Sequence, residues 1–272
     1  MTRASQLLSA ILILMMPCLS VAQGSVTPDK EEAISRIFSA LPVEASLNEV
    51  SKDLNQQFSQ NPFGLPTDKN DQMMQIFRKA FNTDSLSESA HHSLEKQYKP
   101  AFADSVLEWL DTPTADSVMS QEHEFYTIQG MRKRIISKYE YEQNPPPEDR
   151  QEIVRSLINA QNAVNSEVRS QTIIFRALVS AFSVLSDQRS FNESQIDDIV
   201  GNFNSRIQGQ IEQELSNQLL LMYHDVDTTM LKDYRTFYNS PTGQWLSDAR
   251  SEAVHTAFQE AADRFLSDVR EL

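Results

Sequence analysis

A single cysteine, Cys18, occurs in 272 residues, and it falls inside an N-terminal stretch with the order of a secretory signal. Arg3 supplies the positive start, residues 7–16 are apolar except for Ser9, and Ser20-Val21-Ala22 places small residues at the recognition positions of a cleavage site before Gln23. The sequence therefore predicts a signal peptide over residues 1–22, cleaved after Ala22, and export to the periplasm. Cleavage removes Cys18 and with it every disulfide, thiol nucleophile and cysteine metal ligand. The apolar run is shorter than the ~20 residues that span a bilayer, so no stable membrane anchor is expected after cleavage. A lipid-modified cysteine is disfavoured by Met16 and Pro17 immediately before Cys18.

Positive charge is also scarce. Against 38 acidic residues stand 24 Lys and Arg, a net charge of −14 that becomes −15 when Arg3 is lost. Such a chain is repelled by phosphate backbones and anionic headgroups, and no nucleic-acid partner is expected. The densest cationic group, Arg132-Lys133-Arg134, follows Glu122 and Glu124, and the mixture reads as a solvated charged face of one helix.

Glycine is the third shortage, with six in the chain. Apolar residues instead recur at spacings of three and four, which indicates helices and no comparable strand pattern. Thr27-Pro28 predicts a capped first helix with Ile34, Ile37, Phe38 and Leu41 on one face. Leu47, Val50, Leu54 and Phe58 form a second stripe, and Met73, Ile76, Phe77, Ala80 and Phe81 a third. Ser85 and Glu88 read as a capping box, Pro100 interrupts the helix that follows, and Thr112-Pro113 starts one expected to run to about Tyr141. The triple proline at 145–147 ends that run and marks an internal boundary. Beyond it, residues 172–185 read as a helix buried on most sides rather than a membrane span. Asn192, Asp227 and Ser240-Pro241 each open a further helix.

The most distinctive segment is Phe237-Tyr238-Asn239-Ser240-Pro241-Thr242-Gly243-Gln244, followed by Trp245. Over about 50 residues it resembles an exported bacterial helical family, the domain of unknown function 2059, whose signature runs F-Y-x-S-P-x-G. Phe237, Tyr238, Ser240, Pro241 and Gly243 satisfy it; Met230 stands where that family often has an acidic residue. The resemblance implies an all-α fold and supplies no activity. The residues themselves read as a structural corner: Ser240 caps, Pro241 presets the first turn, and Gly243 admits the close approach of another helix. A shift of 128 residues lays Trp109-Leu110-Asp111-Thr112-Pro113-Thr114-Ala115 over Phe237 to Gly243, with Val118 over Leu246. The expectation is an all-α antiparallel helical bundle of two related modules, residues 23–144 and 145–272.

Chemistry is sparse. His123-Glu124 lacks the second histidine of a zinc helix, since Thr127 stands in its place, and the adjacent His91 and His92 point to different sides of a helix. His255 has no evident partner. His224, Asp225 and Asp227 meet at a helix connection and are the one cluster that could move protons or bind a divalent ion. No catalytic, cofactor-binding or metal-ligating residue is assigned. The sequence leans toward an interaction or accessory module engaging another envelope protein or a second copy of itself. Alternatives are a carrier of a small apolar ligand or lipid between helices, and a hydrolase using His224, Asp225 and Asp227.

Overall fold

Short polar side chains set most of the helix starts. In the computed structural model, which describes residues 29–272 apart from 59, 62, 63 and 187–189 and the side chains of 57 and 58, the chain is all-α. Among the described residues it forms twelve helices and no strand: α1 (Lys30–Ala40), α2 (Val43–Phe58), α3 (Thr67–Ala80), α4 (Thr83–Lys96), α5 (Pro100–Leu110), α6 (Pro113–Phe125), α7 (Ile128–Gln143), α8 (Glu148–Ala160), α9 (Ala163–Leu185), α10 (Glu193–Met222), α11 (Thr228–Tyr238) and α12 (Pro241–Arg270). The segment predicted as a signal peptide, Cys18 and the predicted Thr27-Pro28 cap lie outside the described residues.

Asn192 opens α10 with a reciprocal capping box to Gln195, and Asp227 and Ser240 cap α11 and α12; such caps contribute about 1 kcal/mol each. Three starts differ from the sequence reading. Asp29 caps α1 by accepting from the Glu32 amide at 2.8 Å. Asn82, not Ser85, caps α4, because its carboxamide oxygen stands three residues earlier and takes the Ser85 amide at 2.9 Å. The helix expected from Thr112 to Tyr141 breaks after Phe125, where the Thr127 hydroxyl accepts from the Gly130 amide at 3.0 Å and starts α7. Thr127 is followed three residues on by glycine, as Ser240 is by Gly243, and the two corners are built alike.

The main core runs without interruption from Ala33 to Val269 and crosses the proline break at 145–147. At its centre lies α12, packed on α3, α4 and α5 from before the break and on α9 and α11 from after it. Phe77 stacks on Phe81 at 4.4 Å, and Phe265 of α12 meets both edge-on. The Met, Phe and Leu stripes thus pack on one another. Among the described residues α9 is the one helix long and apolar enough to cross a membrane, with a mean hydropathy of 1.3; here it lies against α8, α10 and α12.

Two corners share a plan. The eleven residues of α5 and the eleven of α11 begin 128 positions apart, and a proline-led helix follows each. Thr112 and Ser240 make the same bonds, donating to the carbonyls of Trp109 and Phe237 and accepting from the amides of Ala115 and Gly243. The contacts are reciprocal: α5 packs on α12 while α11 packs on α6. Trp109 and Phe237, the corresponding aromatics, stack on each other with centroids 4.0 Å apart.

Candidate functional site

The helix that most departs from expectation is α7. Its buried residues are the small ones, Gly130 and Ser137, and they allow the helix to lie close to α6. A β-carbon on Gly130 would stand 2.0 Å from the Glu124 carbonyl oxygen. Around these two positions the inner face is polar. Lys133 reaches Glu124 at 2.7 Å and Asp225 at 3.7 Å. Arg134 lies over the Phe125 ring at 4.1 Å and near Glu49. Tyr141 donates to the Leu220 carbonyl at 3.3 Å.

His224 completes this seam between the end of α10 and α7. Its Nδ1 lies 2.8 Å from Asp225 Oδ1 and its Nε2 lies 3.2 Å from Glu140 Oε2. A neutral imidazole donates to one of these at a time. The hydrogen bond with His224, aided by Lys133, holds the Asp225 carboxyl below its ordinary range despite partial burial. Glu124, Lys133, His224, Asp225 and Ser137 line a shallow polar crevice here. Asp227 does not join it: its carboxylate caps α11 by accepting from the Thr229 amide at 2.7 Å. Among the described residues no group of three or more His, Cys, Asp or Glu side chains is placed to hold a metal ion. Beneath the crevice Arg150, itself 8% exposed, donates to the carbonyls of Tyr223, His224 and Val226 and to the Thr228 hydroxyl. It fixes the α10–α11 turn from which His224 projects, in the manner of a cation at a helix C-terminus.

The opposite face of α7 points to solvent and carries the large apolar side chains of the helix, with Arg132 and Glu142 among them. Ile128 (73% exposed), Met131, Ile135 (67%), Ile136 and Tyr139 recur at helical spacing on it. The expected solvated charged face is met only in part: Arg132 is exposed and Lys133 half-exposed. Lys133 and Arg134 turn inward to carboxylates and an aromatic ring, and the hydrophobic side chains turn outward. Glu122 departs from the same expectation, being 3% exposed.

Glu122 is the centre of a buried polar cluster. The hydroxyls of Tyr223 and Tyr234 both donate to its Oε1 at 2.6 Å. Burial, and then the negative charge of Glu122, push both tyrosine pKa values well above the ordinary one. Burial likewise raises Tyr238 and pushes Tyr126 up to about 12. The half-buried Arg250 supplies the positive charge; burial disfavours its cationic form, and the field of Glu122 outweighs that effect. At 128 residues' separation Glu122 and Arg250 are corresponding positions, one acid and one base. Glu122, Tyr223, Tyr234 and Tyr238 are all buried, and the cluster ties together helices α6, α11 and α12 and the end of α10.

The corner residues occupy a different place. Phe237 packs on Trp109, Tyr238 is buried, and Ser240 caps α12 with Pro241 in its first turn. A β-carbon on Gly243 would meet the Phe237 carbonyl oxygen at 2.2 Å and Tyr238 Cα at 2.6 Å, so the preceding helix is the close neighbour. Trp245 stacks on Phe102 and donates to the Gln97 carbonyl at 3.2 Å. The remaining histidines are dispersed: His91 against Phe38, His92 near Glu95, His123 on the Ala40 carbonyl, and His255 buried on the Ser166 carbonyl.

Sequence reasoning missed the α7 stripe, Glu122 and Arg150. The stripe was legible as Ile128, Met131, Ile135 and Tyr139 at spacings of three and four, and its outward direction was not. Glu122 also carried a signal, since it falls in register with Ala115, Val118, Met119 and Phe125 on the apolar side of α6. No protein-family model matches the chain, and the curated proteins and the solved structures give no match to it either.

Proposed function

We propose that the protein is an interaction module of the bacterial envelope and that α7 is its contact surface. One observation carries the reading: α7 is held to the body by polar contacts and turns five large apolar side chains to solvent. Clustered exposure of this kind marks association sites, whereas single exposed hydrophobics do not. The signal-like order of residues 1–22 and the cysteine-free remainder support an exported location. A photo-crosslinking residue at Ile135 is expected to give a discrete protein adduct that Met131→Glu abolishes, with none from Asn202 on α10. Equal labelling at both positions, or an adduct indifferent to Met131→Glu, would overturn the reading.

We infer also that the α5–α6 and α11–α12 corners are copies of one unit, and that residues 219–265 belong with the family whose signature they resemble. Equal helix lengths at a 128-residue offset, matching caps and reciprocal packing support the duplication. So does the Trp109–Phe237 stack, because corresponding residues meet only near a two-fold axis. A chain in which residues 228–243 replace 100–115 should keep a single cooperative melt; a chain that does not fold would count against equivalence.

A further inference from the structure

Resting on that reading of α7, we propose that its partner is the α7 of a second copy, paired antiparallel about a two-fold axis level with Ser137. The charges of the helix are the reason. α7 has no acidic residue in its first turn and no basic residue in its last. Arg132, Lys133 and Arg134 stand toward its N-terminal end, and Glu140 and Glu142 toward its C-terminal end. This is the reverse of what the dipole of a lone helix favours. Within the chain, Lys133 and Arg134 find carboxylates and Glu140 finds His224. Arg132, Lys138 and Glu142 have no ion pair among the described residues, and Arg132 and Glu142 lie among the apolar side chains of the exposed face.

An antiparallel partner answers both features together. It lays the basic, dipole-positive end of one helix against the acidic, dipole-negative end of the other. The charges also select the register. With the axis at position 137, residue i faces residue 274 − i, so Arg132 of each copy faces Glu142 of the other while Ile135 faces Tyr139. Shifting the axis to Ile135 would set Arg132 against Lys138, a repulsive pair at an exposed rim. Self-complementarity of this kind is what an isologous interface requires and what an unrelated partner does not. A membrane surface fits poorly, since the body is strongly acidic and membrane-surface helices carry their basic residues on the face turned away from the apolar one.

The test is the molar mass of the intact mature chain by sedimentation equilibrium, together with charge-swapped variants. The wild type should be a dimer. Arg132→Glu and Glu142→Arg alone should each weaken it by about tenfold or more, the double variant should recover most of that loss, and Ile135→Glu should leave monomer. All three positions are exposed, so unchanged circular dichroism shows that folding is intact. A chain that stays monomeric at millimolar concentration, or a dimer indifferent to the two swaps, overturns the proposal. A monomer that still gives the Ile135 adduct with a different protein removes only the self-pairing and leaves the interaction reading standing. A monomer that binds vesicles of anionic phospholipid through Ile135 removes both.

Discussion

Gly130 and Gly243 are required by the helix end that precedes each of them. A β-carbon would press into the carbonyl of Glu124 or Phe237, and backbone cannot give way as a side-chain tip can. Gly130→Ala and Gly243→Ala should each destabilise the chain by roughly 1–3 kcal/mol, as overpacking does. Gly201→Ala and Gly209→Ala, in α10 where nothing lies within 4 Å, should stabilise it by up to about 1 kcal/mol. Urea midpoints of the four variants decide the matter, and equal shifts would mean that the corners are looser than described. Glu122 presents a sharper case. Removing it leaves the Tyr223 and Tyr234 hydroxyls without their acceptor and Arg250 without its counter-charge. Glu122→Ala should therefore cost about 3–5 kcal/mol, and Glu122→Gln clearly less because an acceptor survives. A Glu122→Ala protein as stable as wild type would show that the carboxylate is not a keystone.

At the scale of elements, the sequence was most readable where a cap, a proline or an apolar stripe acts locally. The starts of α10, α11 and α12 follow from Asn192, Asp227 and Ser240 in this way. The direction in which a helix turns its faces is set by its neighbours, so spacing alone did not show that the α7 stripe turns outward or that Lys133 meets Glu124 and Asp225. His255 was also illegible, because its partner lies on α9, 89 residues away. On the α9–α12 seam its Nε2 donates to the Ser166 carbonyl at 2.9 Å, its Nδ1 has no hydrogen-bond partner, and Glu252 and Arg169 stand nearby. Burial lowers its pKa from 6.5, against the pull of the Ser166 hydrogen bond. Between that lowered value and 6.5 the unfolded chain holds more protons than the folded one, so stability is full above 6.5 and falls as the pH drops through the window. His255→Gln, which keeps a donor for Ser166, should remove this part of the slope. Asp225 and Asp227, both lowered from 3.8, add their own loss only at more acid pH. Urea midpoints measured from about pH 8 down to about pH 5 should converge for the variant and wild type if His255 titrates as described; parallel curves would sink the idea.

For the molecule as a whole, the question is whether the proline run at 145–147 divides two folding units. The break in helix there is real, since α7 ends at Gln143 and α8 begins at Glu148, yet the packing ignores it. Helix α12, one of two thirty-residue helices in the second half, is seated on the first half: Phe265 against Phe77 and Phe81, Trp245 on Phe102, Lys79 on Asp268 at 2.9 Å, and Ser89 donating to Glu260 at 2.6 Å. Separated from it, α3 and α4 would expose the faces that α12 covers, and α12 would expose a face that runs from Gly243 to Val269. A chain cut at the proline run should therefore give two halves that are each poorly helical alone and regain the intact spectrum when mixed. By the same reasoning the uncut protein should melt in one transition, with calorimetric and van't Hoff enthalpies equal. Either half showing a cooperative transition of its own would mean that its local contacts suffice. The shared core would then be a docking of two finished domains, and the two matching corners the place where they dock.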